Sequence, residues 1–398
     1  MPPRAPGSDG QHVIVVGAGV GGLCLAQGLR RAGISCAVYE RAPGPAWGGY
    51  ILHMGADGGS ALRRCLPEHL YRLYTATSRR SPRRDLVAVL DHHGVELATI
   101  PHFGPANDPV LPHTSVHRRT LCQILLSGIT DIVHFGHEAT GYRHDGGDVV
   151  VDFAGGGHAR GTLLVGADGI NSVVRSRLLP EVAVIPLVEH ALLSQAPLTD
   201  ELADALPAAF EDSFVMIRDP RGTHLAAGLF QPRHAVADAA RAAAGVGLDP
   251  VEDYVAVSLE ITDPDLGPHD FFGAPKGFLH SLMRDAVADW HPSLRLLVDG
   301  VAPATIVPRT IRMLPPPATW RTGNVTLLGD AIHAMPPMLG HGANSALRDA
   351  AELAAALASG RPVRESLARY ESDLRDRTLP LLERALATSP GVTARASR

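Results

Sequence analysis

Residues 12–29 read HVIVVGAGVGGLCLAQGL. The β-branched run 12–16 is bounded by glycine, which suits a parallel strand buried on both faces. Gly17-Ala18-Gly19-Val20-Gly21-Gly22 follows as GxGxxG, and apolar residues then recur with helical spacing to Ala32-Gly33. A second strand, residues 35–39, ends at Glu40-Arg41. Each glycine has a physical task. Gly17 allows the tight turn, Gly19 lets the backbone approach a pyrophosphate, and the third motif glycine, Gly22 after Gly21, lets helix and strand pack closely while the helix N-terminus faces the phosphates. Glu40, 18 residues past Gly22, is placed to accept hydrogen bonds from a ribose diol, with Arg41 beside it. Strand, glycines, helix, strand and acid occur in order, so the stretch is a cradle for an adenine dinucleotide. The motif alone does not separate FAD from NAD.

Composition narrows the classes around that cradle. The 398 residues suffice for two or three structural units, and 45% hydrophobic content fits a soluble globular protein with a sizeable core. A net charge of -5 gives no electrostatic case for nucleic acid or for an acidic membrane surface. No apolar run reaches membrane-spanning length, and residues 1–10 form a polar arm without a secretory apolar region, so the expected location is cytoplasmic. Cys24, Cys36, Cys65 and Cys122 show no paired spacing and are expected as reduced, packed thiols. Lys276 is the only lysine, which removes nearly every candidate for Schiff-base chemistry. The 20 histidines include no HExxH-type spacing, and His92-His93 precedes a turn glycine, so no metal site is expected.

Two later stretches extend the pattern. LLVGADGINSVVRSRL, residues 163–178, runs from an apolar strand into Asp168-Gly169, with Ser172 and Arg175 opening a helix. LLGDAIHAMPPMLGHGANSALRDAAELAAAL, residues 327–357, runs from another buried strand into Gly329-Asp330, through a Pro- and Gly-rich loop, into a helix. With GxGxxG, Asp168-Gly169 and Gly329-Asp330 in this order, the chain resembles the class A flavoprotein monooxygenases, the para-hydroxybenzoate hydroxylase-fold family. Within it the chain is most similar to the compact tetracycline-hydroxylating type, which shares GDA-H-MPP--G-G-NS-L-DA and lacks a C-terminal thioredoxin-like domain.

The resemblance implies FAD as cofactor and roles for particular residues. Asp330 would bond the ribityl or pyrophosphate side of FAD. Pro336-Pro337 would wall the isoalloxazine ring with residues that lack N–H groups. Gly340, Gly342, Ala343 and Asn344 would form a helix entrance below the pyrimidine edge, where backbone N–H groups and the helix dipole favour negative charge. In VHRRTLCQILL, residues 116–126, Arg118 matches the family's Arg-x-x-Leu helix and would contact the ribityl chain or a phosphate. PAWGGYILHMGADGGSALRR, residues 45–64, matches the segment that covers the flavin. The chain departs from the family at His341, commonly glutamine, and at Ala46-Trp47, near where the tetracycline-hydroxylating relatives carry arginine.

The fold class that follows is α/β: a GxGxxG Rossmann-like FAD-binding domain with an inserted β-sheet substrate domain and a C-terminal helix. The FAD-binding domain is expected in three parts, 1–84, 104–180 and 301–360. Residues 85–103 lend strands to the substrate sheet, 181–300 form the substrate domain, and 361–398 form a bridging helix. Within 213–230, Asp219-Pro220-Arg221-Gly222 signals a hairpin between two strands, and 253–261 adds a third. Phe214, Met216, His224 and Phe230 are candidate pocket residues, with ordinary sheet core as the competing role for each. The strand near residues 305–313 is expected to lead back into the FAD-binding domain.

The family precedent implies a reaction in which NADPH or NADH reduces FAD, O₂ adds, and a flavin C4a-hydroperoxide transfers oxygen to an aromatic or polyketide-like small molecule, hydroxylating or epoxidising it. No Ser-His-Asp set or carboxylate pair declares itself, so no side chain is assigned as catalytic. Flavin halogenases carry a WxWxIP segment and an early lysine; here Trp47, Trp290 and Trp320 stand apart and Lys276 is far downstream. No aromatic-Pro motif of a geranylgeranyl-type reductase is found. The rival of a different class is a flavin-holding protein without net redox, a cyclase or ligand-shaping module.

Overall fold

The computed structural model describes residues 10–45, 47–80, 84, 86–101, 113–243, 246–261, 271–316, 319–337 and 340–388. Ala46, Met338 and Leu339 lie outside them.

The strand His12–Val16 is wholly apolar after its first residue, and it sits at the centre of a five-stranded parallel sheet. Strand order is Val325–Leu327, Leu163–Gly166, His12–Val16, Ser35–Glu40, Val133–Phe135. A parallel sheet is stable only when both faces are covered, which is why these strands read as continuous apolar runs. The helices Val20–Arg31 and Gly342–Leu357 pack closely on each other, because Gly21 and Gly28 leave room for Ala346 and Ala354. A β-carbon on Gly28 would stand 2.8 Å from that of Ala354. All four cysteines are buried and unbridged.

The second layer is a seven-stranded sheet. Its order is Val307–Met313, Ile185–Pro197, Tyr254–Glu260, His224–Phe230, Phe214–Arg218, Leu86–Asp91, Glu96–Pro101. Only the pair Phe214–Arg218 and Leu86–Asp91 is parallel. The hairpin at Asp219–Gly222 forms as its residues require: Gly222 takes φ +96, and Asp219 accepts from its own turn through Arg221 N at 2.8 Å. One face of this sheet, through Leu192, Val215, Ile217, Val257 and Leu259, joins Phe210, Leu279, Met283 and Leu294 of the covering helices, and Trp290 of a turn between them, in a second core.

The strand Val307–Met313 corrects an expectation. It pairs antiparallel with Ile185–Pro197 at the edge of the seven-stranded sheet rather than joining the parallel one. Local sequence records a strand's length and faces but not its neighbour, and here the 13-residue partner offers an edge long enough to take it. The last element among the described residues is the helix Val363–Thr388, which continues through Pro380. Its Leu367, Tyr370 and Leu374 enter the first core, and its Leu382 and Ala385 pack with Met313 and Met335. No helix among the described residues is long and apolar enough to cross a membrane.

Candidate active site

The three glycine motifs leave the carboxyl ends of three adjacent parallel strands, His12–Val16, Leu163–Gly166 and Val325–Leu327. In open α/β sheets this edge is where ligands bind. Gly17 has φ +107, and a β-carbon there would stand 2.4 Å from the Ala167 carbonyl oxygen. Gly22 is tighter still, 2.0 Å from the Gly17 oxygen, so the turn is closed to any side chain. Gly19 is the opposite: no heavy atom lies within 4 Å of its side-chain position. It also caps the helix Val20–Arg31, whose first turn has no side-chain cap and no acid. An uncapped helix N-terminus beside an open glycine is the arrangement that attracts a phosphate.

Glu40 closes the cradle. Its two oxygens accept from Ala18 N at 2.8 Å and Ala42 N at 2.9 Å, with lone pairs left over for a diol. Arg41 is exposed beside it. Trp47 Nε1 donates to the Ala18 carbonyl at 2.8 Å, so this departure from the tetracycline-hydroxylating pattern pins the covering segment to the cradle.

Asp168 accepts at Oδ2 from Val173 N at 2.8 Å, while its buried Oδ1 has no partner among the described residues. Burial raises the Asp168 carboxyl above the ordinary carboxylate range, opposed by the bonds from Ser172 and the helix backbone. Gly169 has φ +78. Ser172 caps the helix Val173–Leu178 through Arg175 N at 2.9 Å, and Arg175 reaches the Ala331 carbonyl at 3.1 Å, tying this motif to the next.

Gly329 takes φ +59, and a β-carbon there would meet that of Ala346 at 2.9 Å. Asp330 is exposed although it is set deep among protein atoms, because the space it faces is the cleft. That depth raises its carboxyl, with His333 and Arg118 pulling the other way. Arg118 lies over the Tyr50 ring at 5.4 Å and donates to the Gly48 carbonyl at 3.3 Å. Burial lowers the Arg118 guanidinium, but Tyr50, Cys122, Asp330 and Glu40 outweigh it.

The loop after Asp330 buries Pro336 and leaves Pro337 exposed. Gly340 then takes φ +68, and its side-chain position lies 3.3 Å from the His53 ring. Asn344 locks the entrance of the helix Gly342–Leu357. It accepts from Gly55 N at 2.9 Å and donates to the carbonyls of His53 and Gly340, both at 2.9 Å. Gly342 and Ala343 are half-buried there, and the helix's first turn has no acid. His341, at the position of the family's glutamine, is 9% exposed.

The seven-stranded sheet supplies the far wall with the face that its core does not use. Met216, Ala226, Ser258 and Leu193 lie side by side in register, all half-buried. The neighbouring row is Phe214, Gly228, Ala256 and Gln195. Phe214 stands 3.0 Å and Ile51 3.4 Å from the side-chain position of Gly228, and Gln195 Nε2 donates to the Gly49 carbonyl at 3.1 Å. The strand Ile51–Met54 thus joins this face to Gly340 and the Asp330 loop. Of the sequence's pocket candidates, Phe214 and Met216 are on the cleft face, and His224 is at its exposed end. Phe230 is corrected: it is fully buried, packed on Tyr254 at 5.2 Å and His117 at 6.1 Å, and reaches no open space. Ala226, Ser258, Leu193 and Gln195 were missed; the period-2 alternation of their strands was the signal that could have found them. Glu260 was missed as well. It lies one row beyond Ser258, and burial raises its carboxyl.

Residues 15–58 match the NAD(P)-binding Rossmann-like domain, and residues 317–385 match the FAD binding domain. A crystal structure from Photorhabdus luminescens subsp. laumondii, assigned to the FAD containing monooxygenases, superposes with TM-score 0.80 at 28% identity, covering 98% of this chain and all of that one. This is the class A flavoprotein monooxygenase fold. Aurachin C monooxygenase/isomerase of Stigmatella aurantiaca is 26% identical over 91% of this chain and 85% of its own length. Dual O-methyltransferase/FAD-dependent monooxygenase CTB3 of Cercospora beticola is 27% identical over 93% of this chain. The chain spans less than half the length of CTB3 and of the elcB protein of Phaeosphaeria nodorum. Tetracycline destructase Tet(51) shares the fold, with TM-score 0.63 at 18% identity over 94% of this chain and 89% of that one. FAD fits this flavoprotein fold: an uncapped helix end lies at an open glycine, the buried Asp168 Oδ1 has no partner among the described residues, and Asp330 presents an exposed carboxylate.

Proposed function

We propose that this protein is an FAD-dependent monooxygenase that uses NADPH or NADH and O₂ to hydroxylate or epoxidise an aromatic or polyketide-like small molecule. The observation that carries this reading is the half-buried row Met216, Ala226, Ser258, Leu193, two apolar side chains flanking two small ones, whose sheet face is joined through the strand Ile51–Met54 to His53 and Gly340. Such a floor accepts a flat ring system and offers few groups that would hydrate it. When bound, the flavin supplies the redox chemistry, taking two electrons from a nicotinamide and passing one oxygen atom of O₂ to the substrate.

The chain's own residues hold and orient. Gly17, Gly19, Gly21 and Gly22 admit the pyrophosphate to the end of the helix Val20–Arg31, and Glu40 takes the ribose diol with Arg41 beside it. Arg118 and Asp330 would hold the ribityl region, Arg118 offering donors and Asp330 acceptors, and Asp168-Gly169 would line the cofactor beside them. The uncapped N-terminus of the helix Gly342–Leu357, held by Asn344, favours negative charge on the ring edge it faces. Pro336-Pro337 exclude water without offering competing N–H donors. Glu260 is the acidic group on the cleft-facing side nearest Ser258, able to accept a proton or a hydrogen bond from a substrate hydroxyl.

The test is turnover of the FAD-loaded protein against fused-ring phenols and quinolones, following nicotinamide oxidation and product mass together. Oxidation matched by a product one oxygen atom heavier supports the reading. Coenzyme oxidation that yields only hydrogen peroxide with every compound would remove the substrate class, and no oxidation at all would remove the activity.

A further inference from the structure

The helix Val363–Thr388 meets the strand before the Gly329-Asp330 loop, the loop's far side and, through Asp349, the loop's glycine. At the strand end, Tyr370 OH donates to the Leu327 carbonyl at 2.9 Å. At the loop's far side, Leu382 and Ala385 pack with Met335, the residue before Pro336-Pro337. Between them stands Asp349, on the helix Gly342–Leu357, with its side chain 1% exposed. Its Oδ2 accepts from Gly329 N at 3.0 Å and from His333 Nε2 at 2.6 Å, and its Oδ1 accepts from Arg377 Nη2 at 2.9 Å. Arg377 also pairs with Glu352, which is held in turn by Arg348 at 2.8 Å. The carboxylate that sets the glycine turn is therefore neutralised from two sides, by the loop's own histidine and by the C-terminal helix.

We propose that the C-terminal helix seats the FAD-binding loop, with Asp349 and Arg377 as the positioning residues, so that docking of this helix and binding of FAD are one coupled equilibrium. A buried carboxylate that loses one cationic partner is strongly destabilised where it stands, and Gly329 tolerates little displacement against Ala346. Coupling of this kind is reciprocal: whatever the docked helix contributes to FAD affinity, bound FAD returns to helix docking. Pro380 makes the helix a suitable element, since its missing N–H leaves one carbonyl unpaired in the turn before and lowers the intrinsic helix stability that docking must supply.

The inference rests on FAD as the cofactor. Its test uses the full chain reconstituted with and without FAD. Hydrogen exchange is measured across residues 363–388, and FAD affinity is measured by flavin fluorescence for Arg377→Gln, Tyr370→Phe and Leu379→Gln. The expected results are slowed exchange on adding FAD and affinity weakened at least tenfold by R377Q, roughly threefold by Y370F, and not at all by the exposed-site L379Q. If R377Q does not fold, the wild-type exchange and Y370F still decide. Equal exchange with and without FAD, together with unchanged affinity in folded Y370F, would overturn the coupling. A wild-type chain that takes up no FAD would instead overturn the cofactor reading beneath it.

Discussion

The two sheets build their halves of the cleft by opposite means. The parallel sheet works from its edge: backbone N–H groups, glycines with positive φ and three acids at strand ends, with both faces spent on packing. The seven-stranded sheet offers a face: one side is spent on the core with Phe210 and Trp290, and the other is left half-buried, which the proposed function assigns to a ligand. An edge made of backbone recognises what every member of a fold binds, because the backbone does not change with sequence. A face made of side chains recognises what one member binds. On the proposed function, cofactor and substrate are divided between them accordingly.

That division breaks first where backbone geometry is disturbed. Gly17→Ala combines a positive φ with a contact of 2.4 Å to a backbone oxygen that cannot move aside. It should cost about 3 kcal/mol or more and abolish FAD retention, seen together by urea unfolding and by flavin content after purification. A folded, yellow G17A protein would contradict the edge account. Ala226→Phe is the counterpart on the face. It should leave FAD affinity within about twofold yet cut kcat/KM for any substrate at least tenfold, because it fills the floor without touching the edge. Equal losses of both would merge the two halves.

The halves should also part with pH. His333 is fully buried; burial lowers its imidazole, but Asp349 outweighs that and raises it. Its contribution is therefore complete below the unfolded value of about 6.5 and is lost as pH rises through the higher folded value. Asp219 runs the other way. The hydrogen bonds from Arg221, with those from Trp290, hold its carboxyl well below the ordinary range. Its contribution is present above the unfolded carboxylate value and is lost as pH falls. His333→Asn should flatten the alkaline limb of a stability–pH curve and Asp219→Asn the acid limb, each leaving the other limb in place. The smallest effect is expected at Tyr254→Phe. This hydroxyl is buried with no partner among the described residues, so its removal should change stability by less than about 1 kcal/mol, toward the stable side. A larger loss in thermal unfolding would mean the hydroxyl is bonded.

The edge was legible because its physics is local. Strand, glycine turn and helix follow one another within 20 residues, and Gly17, Asp168 and Gly329 each announce a turn. The face was legible only as far as its large side chains. Phe214 and Met216 stood out, whereas Ala226 and Ser258 carry no mark beyond their place in an alternating strand, and Phe230 drew notice for size while serving the core. Partnerships across the chain were not legible at all. Val307–Met313 reads as a strand anywhere, and nothing near Asp349 tells that its cation stands 28 residues later on another helix.

The central claim is a nicotinamide-driven flavoenzyme, and the visible absorption spectrum of the purified protein tests it most directly, recorded without oxygen before and after NADPH and then NADH. The account predicts the bands of bound oxidised flavin and their bleaching by at least one coenzyme, with substrate present if reduction needs it. A protein that shows no flavin bands even after incubation with FAD would contradict it.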